Sequence, residues 1–202
     1  MLKKIFLGLV LSLVISTLIF AKPMSRATVI ALAKQLQQEW VIQDHRLLIV
    51  DVQAQKLYVI LGHSVKYVYT ISTSKIGVGN KAGSNRTPRG MHRFSDKYGD
   101  DAPLGTIFKA RINTGKVYDF SSTQPEKKDY ILSRVLHLRG MEAGLNKGKG
   151  VDSFKRCIYI HGTSNEKQIG TPSSKGCIRM KNRDVIDLYE VVKPGDFVYI
   201  RA

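Results

Sequence analysis

His161 and Cys177 stand sixteen positions apart in Tyr159-Ile-His-Gly-Thr163 and Ser174-Lys-Gly-Cys-Ile-Arg-Met180, and together they can act as a base and a nucleophile. A thiol attacks only as its thiolate, and with an ordinary pKa of about 8.5 it needs a proton acceptor nearby. An imidazole serves that purpose, and Gly176 lets main-chain N–H groups approach a substrate carbonyl as oxyanion donors. Lys175 and Arg179 add positive charge on either side of the cysteine. The Gly162 carbonyl is placed to orient the imidazole. Alternative readings of these residue types are a Cys157–Cys177 disulfide and a zinc site drawn from His161, Cys177, Cys157 and His137. The chain has no Cys-x-x-Cys and no His-Glu-x-x-His, so the spacing predicts no metal and no other cofactor.

Two elements must hold this pair. The apolar run from Cys157 to Ile160 predicts a strand that delivers His161 to a sheet edge, with Gly162 ending the regular pairing. Residues 165–175, polar and carrying Gly170, Pro172 and two serines, predict a loop that returns the cysteine to the histidine. Four residues of strand separate Cys157 from His161, which puts Cys157 about 13 Å away on the same face and off the chemistry, with Cys177 free. His45, His63 and His92 lie in turn or edge contexts and read as ordinary surface residues.

These motifs, with Thr87-Pro-Arg-Gly90 upstream, resemble the L,D-transpeptidase family, which has the YkuD-type catalytic domain. The resemblance runs from about Arg46 to Ile200 and departs at Lys175, where the family usually has a second histidine. It implies a cysteine acyltransferase with Cys177 as nucleophile and His161 as base. Its substrates would be peptidoglycan stem peptides: a tetrapeptide stem loses D-alanine and the acyl group passes to an amine of another stem. With water as acceptor the same chemistry makes an L,D-carboxypeptidase. Ser174 and Arg179 are candidates for holding substrate, and the alternative role for Arg179 is to brace the loop. A non-catalytic basic wall-binding protein with bridged cysteines is the reading from outside the enzymes.

The rest of the chain is organised to match. A basic start and an apolar stretch over Ile5–Phe20 predict an export signal over 1–21, cleaved after Ala21 or kept as an anchor, and hence a periplasmic or otherwise exported protein. The chain has a net charge of +16; loss of Lys3 and Lys4 with the signal leaves 30 basic against 16 acidic residues, about +14. That surplus behind an export signal suits anionic wall polymers or membrane faces and argues against nucleic acid. Residues 22–45 read as a helix over about 25–42, capped by Ser25, and a linker. Residues 46–202 read as one catalytic domain: a strand meander (47–52, 57–61, 65–73), strands at 106–112 and 130–138, a helix capped by Asn182, and a last strand at 197–200. The fold class is mainly β, an antiparallel sandwich or barrel-like sheet with a helix near each end. The Gly-rich loop 77–90 lacks the Gly-Lys-Ser/Thr ending of a phosphate loop, and the Gly- and Lys-rich segment 140–150 suits a loop over a cleft.

Overall fold

The computed structural model describes residues 23–121 and 129–202, so the export signal expected over 1–21 lies outside the described residues. Helix α1 (Arg26–Glu39) is capped by Ser25, whose Oγ accepts from Thr28 N at 3.1 Å. It stops short of residue 42 because Val41 takes a left-handed φ of 51°. Val29, Ala33 and Leu36 form its buried stripe.

A meander follows: β1 (Leu47–Asp51), β2 (Lys56–Leu61) and β3 (Ser64–Ser72). Every residue of β1 is buried, because its two faces serve different cores. Leu47 and Ile49 pack toward α1, and Leu48 and Val50 into the main core. The remaining strands are β4 (Gly90–Tyr98), β5 (Thr106–Lys109), β6 (Ile112–Val117), β7 (Ile131–Gly140), β8 (Tyr159–Thr163), β9 (Ile178–Met180) and β10 (Phe197–Arg201), with α2 (Asn182–Val191) between the last two. The sheet runs β4-β10-β1-β2-β3-β9-β8-β7-β5-β6, and an additional β4–β7 pairing closes eight of these strands into a ring from which the β5–β6 hairpin extends. Pairings are antiparallel except β1–β10 and β8–β9. Val185, Leu188 and Tyr189 of α2 join the main core with Leu48, Val50, Ile160 and Ile178. The protein is mainly β with a helix near each end.

Four local expectations are corrected. The predicted strand 106–112 is a hairpin, broken where Ala110 adopts φ 57°. Strand β8 begins at Tyr159 because Cys157 is itself left-handed, with φ 55°. His161 and Gly162 therefore lie inside a strand paired on both sides, and neither stands at a sheet edge. Asn182 is buried and does not cap α2: its side chain accepts from Ser133 Oγ at 2.8 Å and donates to Thr163 O at 2.9 Å. His92 is fully buried, with Nδ1 3.0 Å from Gly90 O and Nε2 3.0 Å from Ser153 Oγ.

Candidate active site

The alternation of β8 and β9 decides which side chains meet. Ile160 pairs with Ile178 and both point into the main core. Their neighbours must then project from the opposite face, since successive residues of a strand alternate. His161 pairs with Arg179, and Cys177, one position before β9, falls level with Tyr159. Tyr159, His161, Cys177 and Arg179 thus share one face of two parallel strands. The polar loop between them, with a 3₁₀ turn at Glu166–Gln168, provides the crossover.

His161 is buried, and its Nδ1 lies 2.6 Å from Gly162 O. A carbonyl can only accept, so the neutral ring carries its proton on Nδ1 and leaves Nε2 as the free base. Burial lowers the His161 pKa, partly opposed by the Gly162 carbonyl and by Asp129, while Arg179 lowers it further. Gly162 admits no side chain: a Cβ there would lie 2.7 Å from Leu132 O and collide with the Asn182 amide.

Cys177 is half-buried, and its Sγ donates to Cys157 O at 3.5 Å. Burial pushes its thiol up to about 11, against the pull of a hydrogen bond from the Tyr159 main chain. Both shifts favour the uncharged forms, a thiol at Cys177 and a neutral imidazole at His161. The turn that presents the thiol is tightly fixed. Ser174 Oγ donates to Cys177 O at 2.6 Å and accepts from Gly176 N at 3.1 Å, and Thr87 Oγ1 donates to Gly176 O at 3.0 Å. Gly176 itself has φ 123°, a conformation that strains any residue with a Cβ. Ser174 therefore braces the turn, and the Gly176 N–H is committed to it.

Arg179 is buried and fully engaged on its guanidinium ends, with Asp129 Oδ2 at 2.5 Å, Ser72 Oγ at 3.3 Å, Gln168 Oε1 at 3.4 Å and Ser173 Oγ also in contact. These contacts clamp the crossover loop to β3. Lys175 is exposed and reaches the mouth of a cleft of about 680 Å³ formed between loop 77–90 and loop 141–157. Gly148, Lys149 and Gly150 line it, as the composition of that loop predicts.

Three neighbours of these residues escaped the sequence reading. Cys157, expected off the site, lies against Cys177, because its left-handed turn swings its carbonyl onto Cys177 Sγ. Arg156, in the cleft wall, donates to Gly79 O, Asn80 O and Arg86 O at 3.2, 2.9 and 2.6 Å, and it is the cation whose charge draws the Cys177 pKa downward. Asp129 links Arg179 to Thr163 and acts on both His161 and Cys177. A turn in place of a strand at 157 carries no signal in an apolar run, and a lone Arg or Asp far from the motif carries none either. His137 packs instead in a ring stack, 4.1 Å from Phe154 and 4.8 Å from Tyr159.

The closed mixed sheet thus carries a buried histidine on β8 and a half-buried cysteine at the start of the neighbouring parallel strand β9. Residues 45–200 match the YkuD family, the L,D-transpeptidase catalytic domain, and the chain belongs to that family. The Bacillus subtilis L,D-transpeptidase relative YqjB is 31% identical over 152 residues, covering 75% of this chain and 69% of YqjB. The B. subtilis relative YkuD is 56% identical over a 46-residue stretch that covers 28% of its length. Among solved structures, an L,D-transpeptidase from Mycobacterium smegmatis aligns with TM-score 0.47 and 19% identity, over 78% of this chain and 59% of that one. L,D-transpeptidase 3 from Mycobacterium tuberculosis aligns with TM-score 0.49 and 13% identity, over 78% and 61%.

Proposed function

We propose that the chain is a peptidoglycan L,D-transpeptidase that works through a Cys177 acyl-enzyme. The observation that carries this reading is the shared face of β8 and β9, on which a base fixed in one tautomer stands beside a cysteine presented by a rigid turn. His161 Nε2 takes the thiol proton as Sγ attacks the carbonyl of the stem's diamino acid. With the Gly176 N–H committed to Ser174, the Cys177 main-chain N–H receives the developing oxyanion. His161 then protonates the departing amine, so D-alanine leaves and a thioester remains. An amine of a second stem, deprotonated by His161, attacks the thioester and regenerates the thiol. Water in place of that amine gives a trimmed stem, the carboxypeptidase outcome. The basic cleft wall suits stems that carry free carboxylates, and export to the envelope would bring enzyme and wall together.

Mass spectrometry of muropeptides after incubation with the purified chain tests the reading. New cross-linked stems support transpeptidation, and tripeptide stems alone support hydrolysis. Unchanged stems with wild-type protein and with Cys177→Ala alike refute both.

A further inference from the structure

The proposed reaction gives Cys157 no task, yet its position is unusual. Its carbonyl oxygen lies 3.5 Å from Cys177 Sγ. A carbonyl oxygen sits about 2.4 Å from its own Cα by covalent geometry, which brings the Cys177 sulfur within about 6 Å of the Cys157 Cα. The Cys157 sulfur hangs about 2.8 Å from that same Cα, so rotation of its side chain can bring the two sulfurs to roughly 3–4 Å, and closure to the disulfide length of about 2.05 Å takes a further shift of the turn. Both cysteines are free, and Cys157 is exposed where Cys177 is half-buried. Tyr159 belongs to the apolar cluster against which Cys177 packs, and its main chain favours the Cys177 thiolate. Cys157 is held in place by a defined turn, in which Cys157 N donates to Phe154 O at 3.0 Å and Ile158 N to Ser153 O at 3.1 Å. Lys155 and Arg156 precede it on the cleft wall.

We propose that Cys157 is an oxidant-sensing thiol that captures Cys177 in a reversible disulfide and so switches the site off; the effect on turnover rests on the acyl-enzyme reading, the disulfide itself does not. The exposed Cys157 thiolate attacks a hydroperoxide, the O–O bond breaks, and the alcohol or water product leaves with a proton. Cys157 becomes a sulfenic acid. Cys177 Sγ, deprotonated by His161, then attacks the sulfenic sulfur, and the hydroxide expelled leaves as water with that proton. Two thiols and one peroxide thus give one disulfide, and the two electrons come from the sulfurs. A dithiol reductant reverses the change. The bridge also shields Cys177 from the irreversible sulfinic and sulfonic states.

The test treats the full chain with graded hydrogen peroxide and follows peptide mass and muropeptide turnover together. The expected result for wild type is a Cys157–Cys177 linked peptide two hydrogens lighter than its parts, with turnover lost by about tenfold or more and restored by dithiothreitol. Cys157→Ser should start at wild-type turnover, form no bridge, and keep its activity at the dose that silences wild type. At higher doses it should fail irreversibly, with oxygen added to Cys177. Absence of the linked peptide in wild type, or equal peroxide sensitivity of wild type and Cys157→Ser, overturns the proposal. If no form of the protein turns over stems, the linked peptide still decides the disulfide, and only the acyl-enzyme reading falls.

Discussion

Cys177 has two unlike flanks. On the β3 side, Ser72, Ser173, Gln168 and Asp129 all bond the ends of the Arg179 guanidinium. On the cleft side, Lys149, Lys155 and Lys175 face solvent across about 680 Å³, and the wall is made of two loops. The β3 flank holds one cation matched by one anion, Arg179 and Asp129, whereas the cleft side carries an excess of lysines. The difference is also whether each cation already has partners: Arg179 is tied to Asp129, Ser72, Ser173 and Gln168, while the lysines of the cleft face solvent, which in the proposed reading leaves them for an anionic substrate.

The largest effect separates nucleophile from neighbour. Cys177→Ala should lower stem turnover by at least about a thousandfold while leaving the thermal midpoint within a few degrees, because a small half-buried side chain is lost and its backbone bonds remain. Cys157→Ala keeps the carbonyl that Cys177 contacts and should retain most activity. Equal loss in both would erase the division between the flanks.

The next effect concerns the foot of the cleft wall. His92 on β4 holds Ser153 of loop 141–157, and burial depresses its pKa from 6.5 to about 4. The folded chain keeps His92 neutral where the unfolded chain takes up a proton. Stability is therefore full above pH 6.5 and falls as pH drops toward 4, by about 3 kcal/mol over that interval. His137 and His161, also lowered by burial, act in the same direction. Urea midpoints at pH 7 and pH 4.5 should show the loss, and His92→Gln should flatten it. An unchanged slope in that variant would remove His92 as its source.

A smaller loss should follow from opening the closed flank. Arg179→Met leaves Asp129 and two serines without their partner. Asp129 is 35% exposed, so water recovers part of the loss and about 2 kcal/mol remains. Turnover should fall chiefly through kcat, since the clamp positions the turn and touches no substrate in this reading. Arg179→Lys keeps the charge without the forked geometry and should recover the stability better than the rate. A fall confined to KM would instead make Arg179 a substrate ligand.

Much of this was legible because it is periodic or local. The meander, Ser25 as helix cap and the last strand followed from alternation and capping. The Ser174–Met180 segment could be recognised from its residues alone. What stayed hidden depends on pairing across the chain. Strand β9 is three residues long and exists by pairing with β3 and β8, so no run of its own announces it. The left-handed turn at Cys157 interrupts a stretch whose composition favours a strand, and it is what moves Cys157 from the far end of a strand to the side of the nucleophile. Asn182 looked like a cap for the helix it begins, and the demands of Ser133, Thr163 and Glu166 claimed its side chain first.

The smallest effect decides which cation tunes the thiol. Lys175 is two residues from Cys177 in sequence, yet it is exposed, and at physiological ionic strength an exposed ammonium is largely screened. Arg156 is twenty-one positions away in sequence, but its charge acts on the Cys177 thiolate from the half-shielded cleft wall. Removing a cation that stabilises the thiolate raises the thiol pKa and slows alkylation at fixed pH. With iodoacetamide at pH 8, Lys175→Met should react at the wild-type rate, and Arg156→Met should react about three to ten times more slowly, the equivalent of half to one pKa unit. Arg156 also ties down three carbonyls of loop 77–90, so its loss has a second consequence of opposite sign. A loosened loop would let water reach the sulfur, lower its pKa and speed alkylation. The sign of the Arg156→Met change thus separates an electrostatic role from a packing role, and a slowed Lys175→Met would show that the exposed lysine reaches the thiolate after all.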